Sequence, residues 1–267
     1  MTAPAVSVLM AVRDGAPWVA EAVASVLAQT AGDLELIVVD DGSTDATPDL
    51  LSAVSDRRLR VVRQPAAGLT RALNRALTVA GAPLVARLDA DDVALPERLA
   101  RQRAFLERWP EIGVLGTAAR EVDDRGATVR IVQPPPDDAA LRRALIRANP
   151  FVHSSVMLRR ALLEQAGGYD ETLAVAQDYD LWMRLARLTR LANLADVLVV
   201  RRLGPRRVSV AREEDRLRTE ARVRWRAVRS GSYPAWCAIF ALRPALALAL
   251  PRPLRRAMRA ARAGAHA

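Results

Sequence analysis

Short apolar runs alternate with helix-periodic segments along the first 110 residues of the chain. Val6–Val12 is a continuous apolar run of strand length, as expected for a strand that is buried on both faces. Further strands are predicted at residues 34–39, 59–62 and 84–88, with a helix between each strand and the next. A last helix is predicted at about residues 96–108. The alternation predicts an α/β fold with a mainly parallel central sheet flanked by helices.

The second half of the chain has a different pattern. Apolar runs at 112–122 and 128–132 predict a hairpin, and short helices near 138–147 and 178–188 and a strand at 194–200 follow. We predict one domain over residues 1–210, with halves at about 1–110 and 111–210. Residues 211–267 are predicted to form a basic, helical C-terminal extension.

Composition indicates a folded protein of a reducing compartment. Hydrophobic residues make up 51% of the chain, and the single cysteine, Cys237, excludes an internal disulfide. We expect no secretory signal, because the first ten residues lack a basic region and a long apolar region. We also expect no membrane span, because the apolar stretch 235–250 contains Arg243 and Pro244 and is shorter than the ~20 residues required. These features predict a cytoplasmic location.

The net charge of +10 is concentrated near the end of the chain. Residues 1–200 carry a net charge of −3, whereas residues 201–267 contain 17 Arg and 4 acidic residues, a net charge of +13. The first two-thirds of the chain is therefore mildly acidic, which argues against nucleic-acid binding there.

Two acidic clusters directly follow predicted strands. Asp40 and Asp41 end the second strand, and Asp89, Asp91 and Asp92 follow the fourth. Ligands bind at the carboxyl ends of parallel strands, and hard divalent cations prefer carboxylate and phosphate oxygens. A metal held between the Asp-X-Asp turn and a diphosphate is one interpretation. Solvated turns, with a helix N-cap at residues 43–45, are the structural alternative.

No Gly-rich phosphate loop follows the first strand. The chain lacks the glycine spacing of P-loop ATPases and of dinucleotide-binding dehydrogenases at that point. The sequence therefore argues against both classes.

Taken together and in order, nine segments resemble family 2 of the inverting glycosyltransferases, which has the GT-A fold. They cover roughly residues 5–205 and are VSVLM at 6–10, SVLAQT at 25–30, LIVVDDGSTD at 36–45, GLTRALN at 68–74, RLDADD at 87–92, LPERL at 95–99, HSSVM at 153–157, GGYD at 167–170 and DYDLW at 178–182.

The resemblance implies a nucleotide-sugar half before about residue 110 and an acceptor half after it. Asp41, with Asp40 beside it, is expected to hold the nucleobase or ribose of the donor, and Arg71 is a further candidate. Asp89 and Asp91 match the metal motif for Mn²⁺ or Mg²⁺, with Asp91 the direct ligand and Asp89 nearer the ribose. The default donor is a UDP-sugar, while dTDP and GDP remain open.

Asp178 matches the acidic residue that serves as the family's general base and deprotonates the acceptor hydroxyl. It begins a predicted helix anchored by Leu181 and Trp182, and a carboxylate beside an apolar wall can work as a base. An N-cap is the structural alternative. His153 is expected either to line the pocket or to cap a loop. Trp182 is expected to be a core residue rather than a sugar platform.

The chain departs from the family at two points. Many relatives carry Glu where this chain has Gln177, and many have a late His, in some a further metal ligand, where this chain has residues 202–206. The first change removes a charge next to the expected base. The second implies either a weaker affinity for the metal or a water molecule that completes the metal's coordination shell.

Residues 235–262 form a segment that is first apolar and then basic. Such a segment can lie on an anionic membrane surface, and packing against the catalytic domain is the alternative. The resulting interpretation is an inverting, hexosyltransferase-type enzyme of cell-surface polysaccharide or glycolipid synthesis, with a glycan or lipid-linked acceptor. It is expected in the cytoplasm or peripheral on the inner face of the membrane.

Three other interpretations compete with this one. One is a sugar nucleotidyltransferase, but the chain lacks the loop expected after the first strand of such an enzyme. Another is a catalytically inactive relative, and the intact Asp91 and Asp178 argue against it. A nucleic-acid-binding protein acting through the Arg-rich tail leaves the acidic clusters unexplained. No nucleic-acid partner is therefore expected.

Overall fold

The structure is a computed structural model that describes residues 3–204 and 212–251. Its strands are β1 (Val6–Val12), β2 (Leu34–Asp41), β3 (Leu59–Gln64), β4 (Leu84–Arg87), β5 (Val93–Ala94), β6 (Ile112–Val122), β7 (Thr128–Val132), β8 (Met157–Arg159) and β9 (Arg190–Arg202). Its α-helices are α1 (Val19–Leu27), α2 (Thr47–Ser52), α3 (Leu69–Val79), α4 (Arg98–Arg108), α5 (Asp138–Leu145), α6 (Arg160–Gln165), α7 (Gln177–Leu185), α8 (Glu213–Arg229) and α9 (Ala238–Ala249).

The described strands join one sheet in the spatial order β3-β2-β1-β4-β8-β6-β9-β5, and β7 pairs with β6 off this path. The first four strands pair in parallel, as predicted from the βαβ pattern. β8 is inserted antiparallel between β4 and β6, and β9 then runs parallel to β6. The predicted α/β fold is confirmed, and the second half contributes the antiparallel pairs.

Helices cover both faces of the sheet, so successive strand residues enter two different cores. In β1, Leu9 and Ala11 pack in a cluster with α3, α5 and α7. Val8 and Met10 pack in a second cluster with α1 and α4. Because both faces are buried, the strand shows an unbroken apolar run rather than alternation.

The hairpin of β6 and β7 is confirmed, but β9 is longer than the strand predicted at 194–200. β9 follows β6 from the Ile112–Arg190 pair to the Val122–Arg202 pair. The register shifts between Thr117 and Ala118, where β9 has extra residues. This bulge interrupts the apolar pattern, which hid the first part of the strand from the sequence.

The cap chemistry predicted at residues 43–45 is only partly present. Asp45 accepts a hydrogen bond from the Thr47 N–H at 2.9 Å, but α2 begins at Thr47 and its N-cap residue makes no side-chain cap. The Ser43 hydroxyl instead accepts from the Asp14 N–H at 2.9 Å, and Asp45 accepts from the Ala16 N–H at 3.0 Å. These bonds tie the β2–α2 loop to the β1–α1 loop.

The described part of the C-terminal extension packs on the second half of the domain. Val223 and Ala227 of α8 are buried in the same cluster as Tyr179. The Tyr179 hydroxyl donates to the Leu145 carbonyl at 2.6 Å and accepts from Arg224 Nε at 3.0 Å. The domain boundary near residue 210 stays a prediction, because residues 205–211 lie outside the described ranges.

Across residues 3–204 and 212–251, no helix is both long enough and apolar enough to cross a bilayer. The basic end of the segment that was predicted to meet a membrane, residues 252–262, lies outside the described part of the chain.

Tyr179→Phe removes the hydroxyl that joins α5, α7 and α8. We expect the free energy of unfolding to fall by about 1–3 kcal/mol, because the buried Leu145 carbonyl and the Arg224 guanidinium each lose a partner. Urea denaturation followed by circular dichroism measures this change. Leu188→Ala, at an exposed position, is the control and should change the value by less than about 0.5 kcal/mol. An unchanged stability of Tyr179→Phe would show that α8 is not docked on α7.

Candidate active site

A cleft with a volume of about 1260 Å³ opens at the carboxyl ends of β1, β2 and β4. Its walls include the β1–α1 loop, the start of α3, the turn after β4 and the first turn of α7. Parallel sheets bind ligands at this edge. Asp40 is not among the described residues that line the cleft, whereas five predicted site residues do line it, namely Asp41, Arg71, Asp89, Asp91 and Asp178.

Asp41 is buried at the end of β2 and fixes the loop that leads into α3. Its Oδ1 accepts hydrogen bonds from Gln64 Nε2 at 2.7 Å and from the Ala67 N–H at 2.8 Å. Its Oδ2 accepts from the N–H of Gly68 at 2.8 Å, and Gly68 has a φ of 96°, which favours glycine. Asp41 therefore shapes this end of the cleft as well as lining it.

Asp40 and Arg71 lie in different surroundings. The Asp40 carboxylate is buried, accepts from the Ser43 N–H at 2.9 Å and lies 3.3 Å from Arg63 Nε. Side chains alternate along a strand, which turns Asp40 away from the cleft that its neighbour lines. Arg71 is exposed on α3 and pairs with Glu171 at 3.3 Å. The structure therefore places Asp40 outside the cleft that Arg71 lines, although the sequence predicts both residues at the subsite for the nucleobase and ribose.

Arg87 and Ser154 hold Asp89 from two sides. The buried Arg87 guanidinium pairs with Asp89 Oδ1. The Ser154 hydroxyl donates to Asp89 Oδ2 at 2.7 Å and accepts from the Asp89 N–H at 3.2 Å. Burial by itself raises the pKa of Asp89, but the Arg87 charge and the Ser154 hydrogen bond act against it, and the pKa is lowered to about 2. Asp89 is therefore an ionised carboxylate with a fixed orientation.

Asp91 and Asp92 complete the acidic turn before β5. Desolvation by the cleft walls and the Asp89 charge raise the pKa of Asp91 to about 6. Burial and the two neighbouring carboxylates raise the pKa of Asp92 to about 8, and Asp92 accepts from the Arg202 N–H at 2.9 Å. The negative charges of these three carboxylates, which lie within four residues, repel one another, and a cation bound at the turn reduces this repulsion.

Arg202, near the end of the described β9 segment, braces the same turn. Its Nη1 donates to the Asp91 carbonyl at 2.8 Å, and its Nη2 pairs with Glu21 at 2.6 Å. The guanidinium also lies 4.5 Å from the centroid of the Trp18 ring. Arg202 lies in the stretch where the sequence lacks the late His of many relatives. A guanidinium has no acceptor atom, so Arg202 supports the turn and does not ligate a metal.

The acidic turn fits a divalent cation that the substrate helps to hold. Asp89 and Asp91 offer two carboxylates, and Mg²⁺ typically combines one or two carboxylates with substrate phosphates and water. Within residues 3–204 and 212–251, no group of three or more His, Cys, Asp or Glu side chains forms a ready-made metal site.

Asp178 lies in the first turn of α7, and its carboxylate is fixed by hydrogen bonds. Asp178 Oδ2 accepts from Asn149 Nδ2 at 2.7 Å, and Oδ1 accepts from the Tyr179 N–H at 2.8 Å. Asn149 Oδ1 accepts from the Phe151 N–H at 3.1 Å, which directs the amide NH₂ group toward Asp178. The N-cap residue is Ala176 and not Asp178, so the structural alternative for Asp178 is wrong.

Ala176 adopts a left-handed conformation with φ 56° and ψ 26°, directly before Gln177 and Asp178. Non-glycine residues seldom adopt this conformation, and such strain concentrates at functional sites. Gln177 is buried and lines the cleft. The local backbone therefore turns the start of α7 into the cleft.

His153 and Trp182 form an aromatic wall beside these groups. His153 Nε2 lies 2.9 Å from the Tyr169 hydroxyl, and the His153 ring meets Trp182 edge-on at 6.0 Å. Burial, followed by the Arg87 charge, lowers the pKa of His153 to about 4, so the ring is neutral at pH 7. His153 lines the cleft, which is the first of the two alternatives considered. Trp182 is completely buried, and its prediction as a core residue is confirmed.

Several cleft residues were not predicted from the sequence. Ser154 lies within the HSSVM segment, yet only the three-dimensional structure shows its contact with Asp89. Asn149 carries no local signal of a site. The charged pattern of α8 suggests a solvated helix, but Arg216 and Glu220 line the cleft.

Residues 7–167 match the sequence model described as Glycosyl transferase family 2. The chain belongs to glycosyl transferase family 2. It is 33% identical over 202 residues to the amylovoran biosynthesis glycosyltransferase AmsE of Erwinia amylovora, covering 73% of this chain and 74% of that protein. It is 33% identical over 221 residues to the succinoglycan biosynthesis protein ExoU of Rhizobium meliloti (strain 1021), covering 76% of this chain and 63% of that protein.

Solved structures establish that this family 2 chain has the GT-A fold. S. aureus TarS in complex with UDP superposes with a TM-score of 0.65 at 22% identity, covering 82% of this chain and 64% of that chain. The mannosyltransferase PcManGT from Pyrobaculum calidifontis, in complex with GDP-Man and Mn²⁺, gives a TM-score of 0.67 at 23% identity and covers 99% of this chain and 81% of that chain. The predicted fold and family are confirmed.

Ser154→Ala removes the hydroxyl that orients Asp89. We expect the affinity for a nucleotide in the presence of Mn²⁺ to fall by roughly tenfold or more, because Ser154 orients Asp89 beside the proposed metal ligand Asp91, and loss of such a supporting hydrogen bond typically has an effect of this size. Isothermal titration calorimetry measures this affinity. Ser155→Ala is the matched control, because its equally buried hydroxyl bonds the Val152 carbonyl and the Thr117 N–H instead of Asp89. Equal losses in both variants would remove the specific role of Ser154.

Proposed function

We propose that this family 2 protein transfers a hexosyl group from a nucleotide diphosphate sugar to an acceptor hydroxyl, with inversion at the anomeric carbon. The observation that carries the proposal is that one cleft contains both the Asp89–Asp91 turn and Asp178. The turn suits a diphosphate held through a cation. The separate, hydrogen-bonded Asp178 carboxylate suits a base. The two requirements of the reaction thus come from the two halves of the domain.

The donor is proposed to bind in the first half, up to about residue 110. Asp41 and Arg71 lie at the end expected for the base and ribose, while Asp40 supports the β2–α2 loop from outside the cleft. Asp91 is the proposed direct ligand of Mn²⁺ or Mg²⁺, with Asp89 nearer the ribose. Such a cation, when bound, neutralises negative charge that develops on the departing diphosphate.

UDP is the proposed nucleotide, with dTDP and GDP as the alternatives to be tested. TarS was solved with UDP and with UDP-GlcNAc, and PcManGT with GDP-Man and Mn²⁺. These neighbours support a nucleotide sugar with a metal as the general donor class, and they do not favour one base.

Asp178 is the proposed general base. It accepts the proton of the acceptor hydroxyl while that oxygen forms a bond to the anomeric carbon. The bond from the anomeric carbon to the diphosphate breaks in the same displacement, and its electron pair leaves with the diphosphate. One displacement inverts the anomeric configuration and requires no covalent sugar–enzyme intermediate. The Asn149 amide, at 2.7 Å from Asp178 Oδ2, fixes the carboxylate for this step.

Arg201 is proposed to add positive potential beside the diphosphate. It lines the cleft, and its Nη1 lies 3.0 Å from the buried Glu121 carboxylate, which anchors it. Fixed positive charge near a developing negative charge lowers the barrier without reorganisation.

The acceptor is proposed to be a glycan or a lipid-linked glycan of the cell surface, reached in the 111–210 half. AmsE and ExoU act in amylovoran and succinoglycan biosynthesis by their names, and WbnJ of Escherichia coli, 29% identical over 183 residues, acts in O-antigen biosynthesis. These relatives support a role in polysaccharide biosynthesis.

Calorimetric titration with UDP, dTDP and GDP, with and without Mn²⁺, tests the donor site. We expect one nucleotide to bind in a metal-dependent way, because Asp91 holds the diphosphate only through the cation. Asp91→Ala should abolish this binding, and Asp178→Asn should preserve it. Absence of binding to the folded wild-type protein under all conditions would favour an inactive relative and withdraw the enzyme proposal.

Asn149→Ala frees the carboxylate of Asp178. We expect kcat for hydrolysis of the donor sugar, with water as acceptor, to fall by roughly tenfold or more, since base efficiency depends on orientation. The donor KM should stay unchanged, because Asn149 contacts the base and not the acidic turn. Nucleotide release assays at several donor concentrations separate kcat from KM. A raised KM with unchanged kcat would assign Asn149 to donor binding instead.

A further inference from the structure

Helix α9 presents an apolar face that no described residue covers. Ile239, Leu242 and Leu246 are 62%, 54% and 68% exposed. They are spaced three and four residues apart and therefore lie on one side of the helix. Trp236, in the 3₁₀ turn directly before α9, is 66% exposed. Four large apolar side chains thus form one surface, here called the α9 face.

The opposite side of α9 is packed against the protein. Cys237, Ala241 and Pro244 are buried. Arg224 of α8 donates from Nη1 to the Phe240 carbonyl at 3.1 Å. These contacts hold the helix in place, so the α9 face is a positioned surface and not a loose segment.

Charge identifies the kind of partner that fits this face. Residues 221–267 contain ten Arg and no Asp or Glu, and two of these arginines, Arg224 and Arg226 of α8, already pair with Glu220 and Asp180. Arg243 is exposed on α9 itself, and five of the ten Arg fall at 252–262, beyond the described residues. A partner for this region must therefore accept large apolar side chains and positive charge together.

We propose that the α9 face is a docking site for an anionic phospholipid membrane. Helices that bind at a membrane surface lie in the interface plane, with apolar side chains among the upper acyl chains and basic residues at the headgroups. α9 has 12 residues and is too short to cross the bilayer, so the contact is peripheral. A tryptophan at the start of the face suits the headgroup boundary.

Two other partners fit the same surface less well. In a symmetric dimer of this chain, a two-fold axis through the face brings the exposed Arg243 side chains of both copies close together, and their like charges repel. Nucleic acid satisfies the arginines but leaves Ile239, Leu242 and Leu246 without an apolar partner. The membrane satisfies both features.

Docking through α9 brings the second-half side of the cleft near the lipid surface. The Arg147 guanidinium lies 5.4 Å from the Phe240 ring centroid, and the next residues, Ala148 and Asn149, line the cleft. The docking itself does not depend on the proposed reaction and applies equally to an inactive chain.

Vesicle co-sedimentation of the full chain tests the proposal. We expect binding to vesicles of phosphatidylcholine mixed with phosphatidylglycerol, and little binding to phosphatidylcholine alone. The triple variant Ile239→Ser, Leu242→Ser, Leu246→Ser should lose the bound fraction by roughly tenfold or more, because it removes the apolar part of the contact. The matched control is Val129→Ser with Ile131→Ser on β7, where both side chains are 55% exposed and flank an arginine.

Fluorescence quenching by brominated phospholipid gives a second measurement. Quenching should occur in the wild type and be lost in Trp236→Phe, a change that keeps the fold and the charge. Absence of binding to anionic vesicles, or equal binding by the triple variant and the wild type, overturns the proposal. A dimer in light scattering that the triple variant abolishes, without vesicle binding, assigns the face to a second copy. Duplex DNA binding that persists in the triple variant, again without vesicle binding, assigns the charge to nucleic acid.

Discussion

Mutual repulsion among three carboxylates at the turn between β4 and β5 is the constraint on which the rest of the site depends. Asp89, Asp91 and Asp92 occur within four residues at the mouth of the cleft, and the pKa values of the last two are raised by burial and by their neighbours. Such a turn needs positive partners to keep one shape. Arg87 from β4 pairs with Asp89, and Arg202 from β9 holds the turn through the Asp91 carbonyl and, with its backbone N–H, the Asp92 carboxylate. The long parallel pairing of β6 and β9, which carries Arg202 to the turn, is therefore part of the site.

Much of the fold is readable from local patterns, whereas the site is readable only in part. The unbroken apolar run of β1 follows directly from burial of a parallel sheet on both faces, and the acidic residues at the ends of β2 and β4 mark the edge where such sheets bind ligands. The contact of Ser154 with Asp89 joins residues 65 positions apart, and no local pattern records it. Neighbouring residues of the same type can also differ in role. Asp40 and Asp41 look equivalent in the sequence, but the alternation of side chains along a strand places only Asp41 in the cleft.

The C-terminal helices connect the site to its surroundings. α8 packs on α7 through Tyr179, directly after Asp178, and contributes Arg216 and Glu220 to the cleft. α9 packs on α8, and no described residue covers its apolar face. The sequence predicts a basic extension that follows a complete domain. In the structure, the described part of that extension lines the cleft through Arg216 and Glu220 and shares a hydrophobic core with the domain, so changes at α9 can affect the cleft.

We propose that the cleft binds a nucleotide diphosphate through a cation at Asp91, and a crystal structure of the full chain with UDP and Mn²⁺, with anomalous data collected at the manganese edge, tests this proposal. We expect one manganese peak between Asp91 and the diphosphate, with the base on the Asp41 side of the cleft. A nucleotide bound outside the cleft, or bound inside it with no manganese beside Asp91, would rule out this mode of binding.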